Sequence, residues 1–141
     1  ILYLGRVGEA TLIKIATNMI SAVTTGVLAE AYGLVSKAGV DPQRLADALE
    51  LNACYSGLIA MKLPQIMARD YEPHFSLKHM FKDAQYALNL AKQLGVEAPV
   101  LSTTASVMFR GIQKGQGEKD YSVLAARYQD AAEGKENRPA S

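Results

Sequence analysis

Apolar residues recur at steps of three and four along most of this chain, and no segment alternates with period two over a useful length. The longest run predicts a helix from about Glu9 to Lys37, with an apolar stripe of Ile13, Ala16, Ile20, Val23, Val27, Ala31 and Leu34. Gly39 suits the left-handed position past its end. Asp41 and Pro42 are an N-cap and first residue for a second helix to about Leu51. After the loop 52–57, Ser56 caps a helix from Gly57 to about Arg69, with Pro64 kinking it. After a second loop, 70–75, Ser76 caps a helix striped by Leu77, Met80, Phe81, Ala84, Leu88, Ala91 and Leu94 and ended by Gly95. Pro99 starts another, through Val100, Thr103, Val107 and Ile112 to about Lys114, and Asp120 caps a last short helix to about Tyr128. The expected fold is all-α, a bundle of five to seven helices built on the long first one. Residues 1–130 form one helical domain and 131–141 a polar tail, expected to be disordered.

Composition narrows the function classes. The 141 residues suffice for one domain with a real core. A net charge of +1 gives no basic field for nucleic acid. The single cysteine, Cys54, excludes an internal disulfide and fits a reducing, cytoplasmic location. His74 and His79 have no metal-ligand spacing around them. Residues 10–29 approach the length of a membrane span, but Lys14, Asn18 and five hydroxyl residues argue against one. No leader precedes the helix, and the chain opens on Ile1, as a fragment would.

Lys14 is the only charged residue between Ala10 and Ala29. Thr11, Lys14, Asn18, Ser21 and Thr25 form a polar stripe beside the apolar one, facing a solvent channel or a cleft. A lysine in a cleft can exchange a proton with an oxygen near neutral pH. Asn18, one turn on, can donate to that oxygen or hold the lysine. The plainer reading is an exposed lysine with a chance neighbour, since K-x-x-x-N is common and lysine is rarely buried.

A second constellation lies in FSLKHMFKDAQYAL, residues 75–88. Lys78, Lys82, Gln85 and Asn89 fall on an outer face, with His79, Asp83 and Tyr86 on its flank. Lys82 could take an anionic ligand and Asp83 could accept a hydrogen bond, against the plainer reading of a solvated face. Phe75 reads as a core anchor and His79 as a surface or packing histidine. Gly5-x-x-Gly8 makes a poor phosphate loop, because no strand can precede it within four residues.

These stretches resemble the carboxyl-terminal domain of the β-hydroxyacid dehydrogenases. That family includes 3-hydroxyisobutyrate dehydrogenase, tartronate semialdehyde reductase, the glyoxylate/succinic semialdehyde reductases and, more distantly, 6-phosphogluconate dehydrogenase. Its G-x-x-G-x-G-x-x-x-K-x-x-x-N appears as Gly5, Gly8, Ala10, Lys14 and Asn18, with Ala10 in place of the third glycine. DYEPHFSLKHMFKDAQYAL is similar to its D-x-x-P-x-F-x-L followed by Lys-Asp and a helix; GVEAPV and GQGEKDYSVL also fit.

The resemblance implies an NAD- or NADP-dependent oxidoreductase acting on a small hydroxy acid or semialdehyde. It implies Lys14 as general acid/base, Asn18 and Phe75 at the substrate, and Lys82 and Asp83 near the cofactor. The run from Phe75 to His79 is most similar to the glyoxylate/succinic semialdehyde reductase branch. The amino-terminal Rossmann domain of that family is not in this sequence, so this piece is expected to be inactive alone. Its long helix would carry an apolar patch that favours a homodimer. The rival expectation is a non-catalytic helical dimerisation module.

Overall fold

The computed structural model describes residues 8–133, with side chains to residue 129. Six α-helices and one 3-10 helix follow in order: α1 (Glu9–Lys37), α2 (Pro42–Glu50), α3 (Gly57–Ala68), α4 (Leu77–Gln93), α5 (Pro99–Gln113), the 3-10 helix (Tyr121–Ala125) and α6 (Ala126–Glu133). No strand occurs among the described residues; the one sheet-like contact is an isolated antiparallel bridge between Ser76 and Asp120. Helix α1 is the axis, and every other element packs against it. By length and composition it is also the one described helix that could cross a membrane.

Local chemistry sets most boundaries. Gly8 precedes α1 with φ at 97°, a left-handed value that glycine tolerates without strain. Asp41 accepts from the Gln43 N–H and Ser56 from the Ile59 N–H, as N-caps do. Ser76 departs from expectation: its hydroxyl caps no backbone N–H and bonds the His79 ring instead, with Oγ and Nδ1 2.8 Å apart. Helix α6 runs to Glu133, beyond the end expected near Tyr128. Ala131, Ala132 and Glu133 favour helix, and Gly134 follows them. Gly5 and the rest of the predicted tail, residues 134–141, lie outside the described residues.

The core-facing side of α1 is a correction. Ile13, Ile20, Val27 and Leu34 of its large-apolar stripe are 46, 67, 58 and 74% exposed. Buried instead are Ala22, Thr25, Leu28, Ala29, Tyr32 and Gly33. The inward line thus runs Asn18, Ala22, Thr25, Ala29, Tyr32, much nearer the stripe that reads as polar. Packing density explains the reversal. Neighbouring helices lie close along much of this line, which favours small residues such as Ala22, Ala29 and Gly33 there, beside Leu28 and Tyr32. At Gly33 an added Cβ would stand 2.5 Å from the Tyr128 ring. Helix α5 shows the same slip: Leu101, Ala105, Met108 and Gly111 are buried, whereas Val100 is exposed. Exposed Val27 of α1 and Val100 and Thr103 of α5, with half-buried Val23 and Val107, line one open groove of about 430 Å³.

Candidate active site

Three of the five residues singled out from the sequence meet in space. Lys14 and Asn18, one turn apart on α1, both reach Asp83 on α4. The Asn18 side-chain amide donates to Asp83 Oδ2 at 2.7 Å, and Lys14 Nζ donates to the same oxygen at 3.5 Å. The two helices pack together, with Ala22 on α1 and Ala84 and Ala87 on α4 all buried.

The cluster is asymmetric. The Asp83 side chain is only 8% exposed, whereas that of Lys14 is 65% exposed. Within the described chain, therefore, Lys14 is not withdrawn from water as a cleft lysine would be. The reason is its place in the helix. The first turns of α1, from Glu9 to Lys14, are exposed, and cover begins at Ile15. Asp83 tethers the ammonium at long range. A solvated ion pair of this kind contributes ~0–1 kcal/mol, so it can be released at little cost.

Asp83, expected to organise the site near the cofactor, holds the two α1 side chains on its carboxylate. Asn18 gives one N–H to that carboxylate, which leaves its second N–H and its carbonyl oxygen for other groups. His79, Lys82, Asp83 and Tyr86 are spaced i, i+3, i+4 and i+7, so they share one side of α4. Phe75 is half-buried just ahead of that helix, its ring 6.0 Å from the His79 ring and 6.3 Å edge-on from the Tyr121 ring. Lys82 is exposed and has no ion-pair partner among the described residues. His79 is exposed too, in keeping with a surface role.

The most deeply buried charges were not singled out from the sequence. Lys62 of α3 is 1% exposed and Asp120 is 0% exposed. Lys62 Nζ donates to both Asp120 oxygens, at 2.8 and 2.9 Å. Asp120 was expected to cap a helix, and it does accept the Ser122 N–H at 2.9 Å. Burial alone would push its carboxyl up. The Lys62 ammonium and the N–H groups of Ser122 and Phe75 outweigh that and hold it below the ordinary carboxylate value. Burial raises the neighbouring Tyr121 hydroxyl, and the Asp120 charge adds to the rise.

The fold around this cluster has close counterparts. A 3-hydroxyisobutyrate dehydrogenase of Salmonella typhimurium superposes with a TM-score of 0.81 at 23% identity, over 85% of this chain and 42% of that one. The likeness is one of fold, an all-helical arrangement shared with part of that chain. Residues 8–128 match the family described as NAD-binding of NADP-dependent 3-hydroxyisobutyrate dehydrogenase, and the chain belongs to that family of NAD(P)-dependent hydroxyacid dehydrogenases.

Glyoxylate/succinic semialdehyde reductase 1 of Arabidopsis thaliana is 31% identical over 122 residues, covering 86% of this chain and 42% of the relative. The cytokine-like nuclear factor N-PAC of Aedes aegypti is 33% identical over 125 residues, covering 89% and 22% respectively. The chain thus spans between about a fifth and two-fifths of the length of these relatives.

The family's cofactor is NAD(P). On this chain Lys82 fits it at one point, as an exposed cation with no ion-pair partner beside Asp83. No strand with a glycine-rich turn into a helix occurs among the described residues.

Proposed function

We propose that this chain is the carboxyl-terminal domain of an oxidoreductase interconverting a small hydroxy acid and its aldehyde or keto acid. In this reading it supplies the acid/base lysine and is inactive without a Rossmann domain on its amino-terminal side. The observation that carries it is the convergence of Lys14, Asn18 and Asp83 from two helices. The name of the Arabidopsis relative supports a small semialdehyde as the substrate class.

Lys14 gives a proton to the substrate's carbonyl oxygen in reduction and takes it back in oxidation. Asp83 keeps the amine near the α1–α4 junction through the 3.5 Å contact. Asn18, fixed by its own bond to Asp83, offers its carbonyl oxygen to a substrate hydroxyl. Phe75 walls the site with an apolar ring, and Lys82 approaches the nicotinamide end of the cofactor. NAD(P), when bound, supplies or accepts the hydride. The exposed first turns of α1, with Leu12 and Ile13 beside Lys14, give the Rossmann domain a surface that would close water away from the amine.

The outward line Ile13, Ile20, Val27 and Leu34 repeats every seven residues, which suits a helix from a second copy and supports a homodimer. The same line favours the second reading, a helical dimerisation module in which Lys14 has no chemistry. One relative bears the name of a nuclear factor, not of an enzyme. Nucleic acid and membrane have no part in either reading.

Joining the chain to the Rossmann domain and assaying NADH and NADPH oxidation with a panel of small aldehyde and keto acids decides between them. Turnover by the joined protein and none by either part alone is expected. No turnover across the panel would leave the dimerisation module standing.

A further inference from the structure

The loop from residue 70 to Ser76 has no helix or strand of its own, yet its backbone is fastened almost throughout. Asp120 Oδ2 accepts the N–H groups of His74 and Phe75, at 3.1 and 3.2 Å. The Asp120 N–H donates to the Tyr71 carbonyl at 2.9 Å, and the Tyr121 N–H to the Phe75 carbonyl at 3.1 Å. The Leu77 N–H donates to the Lys119 carbonyl at 2.8 Å, which fixes the first residue of α4. Both peptide groups of Phe75 are thus held by the segment that Asp120 begins.

A carboxylate with no water around it is stable only if its charge is matched. Lys62 supplies the match, and the three N–H groups of His74, Phe75 and Ser122 complete the shell. Lys62 Nζ also lies 4.5 Å from the Tyr121 ring, which stands nearly perpendicular to the Phe75 ring. Two apolar residues could fill the same space, often with equal or greater stability. They could not accept three N–H groups from two different segments, so the pair contributes direction as well as cohesion.

We propose that the buried Lys62–Asp120 pair is a positioning device for the substrate cleft. It sets the Phe75 backbone and the first turn of α4, and through them the placement of the Phe75 ring relative to Asp83 two turns on. Lys62 and Asp120 touch neither substrate nor cofactor and act through Phe75 and α4. This rests on the functional reading above.

The test compares Asp120→Asn with Leu101→Ala in the protein joined to its Rossmann domain. Leu101 is buried in α5 and has no part in the loop. Both variants lose stability. Asp120→Asn should also lower kcat/KM about tenfold or more, because a misplacement near 1 Å has effects of that order or larger. The KM for dinucleotide should stay unchanged, and the His74 and Phe75 amides should exchange hydrogen faster. Leu101→Ala, assayed well below its melting temperature, should keep kcat/KM within about twofold. An Asp120→Asn effect on kcat/KM no larger than that of Leu101→Ala would overturn the proposal.

If Asp120→Asn does not fold, hydrogen exchange on the unaltered protein decides. Exchange of the His74 and Phe75 amides with the slowest core class is expected, and exchange as fast as an open loop would overturn the proposal. Absence of turnover in the unaltered protein would instead sink the functional reading, and the exchange rates would judge the clamp separately.

Discussion

Asp83 holds Lys14 and Asn18 on one carboxylate oxygen, so its charge can be removed with little change of shape. Asp83→Asn should shift the melting temperature by only a few degrees, since the lysine it releases is solvated. In the joined protein it should lower kcat by about tenfold or more, because the amine loses its tether. Thermal melts and steady-state kinetics on one preparation check both halves.

Asp120 behaves differently, because its carboxyl is held below the ordinary value of 3.8 in the folded chain. Its ionised form therefore stabilises the fold at every pH above 3.8, and the contribution is lost as pH falls from there through the depressed value. Melting temperature should drop along that acid window, and Asp120→Asn should flatten the drop. Lys62→Met, which strands the buried carboxylate, should cost about 3–5 kcal/mol near neutrality, read by urea titration.

The signal that pointed to Lys14, a lone cation in an apolar helix, is present at Lys62 too, in GLIAMKLPQIMA. There it marks a lysine that is buried, whereas Lys14 is open to water in this chain. The sequence pattern shows that an amine needs a partner. It does not show whether the partner is the chain's own carboxylate 58 residues on, as for Lys62.

At the scale of elements, helix positions were legible because caps and breakers act locally: Gly8, Asp41, Ser56, Pro99 and Asp120 stand at or beside the ends expected of them. Helix rotation was less legible. Hydrophobicity ranks Ile20 and Val27 above Ala22 and Gly33, whereas close approach between helices selects the smaller pair. Two substitutions on α1 test that reversal. Gly33→Ala should push Tyr128 and α6 outward and lower stability by about 1–3 kcal/mol. Ile20→Asp, on the exposed line, should leave the unfolding free energy of this chain within about 0.5 kcal/mol if the chain is monomeric at the concentration used. Reversed magnitudes would mean that α1 is turned the other way.

For the whole molecule, the outward faces of α1 and α5 and the exposed Lys14 are left open by this chain, and the proposed reading has a Rossmann domain and a second copy cover them. Sedimentation should show self-association of this chain that Ile20→Asp with Val27→Asp abolishes. The family was legible from short motifs, as was the Lys14–Asn18 pair four apart on one helix face; that Asp83 of the second motif joins them was not, because it depends on how α1 and α4 pack. The exposure of the amine was not, since it follows from where cover by the other helices begins along α1. The most direct measurement is turnover by Lys14→Ala in the joined protein, with dinucleotide affinity measured alongside by fluorescence. The account predicts unchanged affinity and a fall in kcat of about a hundredfold or more, the range for losing a general acid. Turnover retained at the unaltered rate would contradict it.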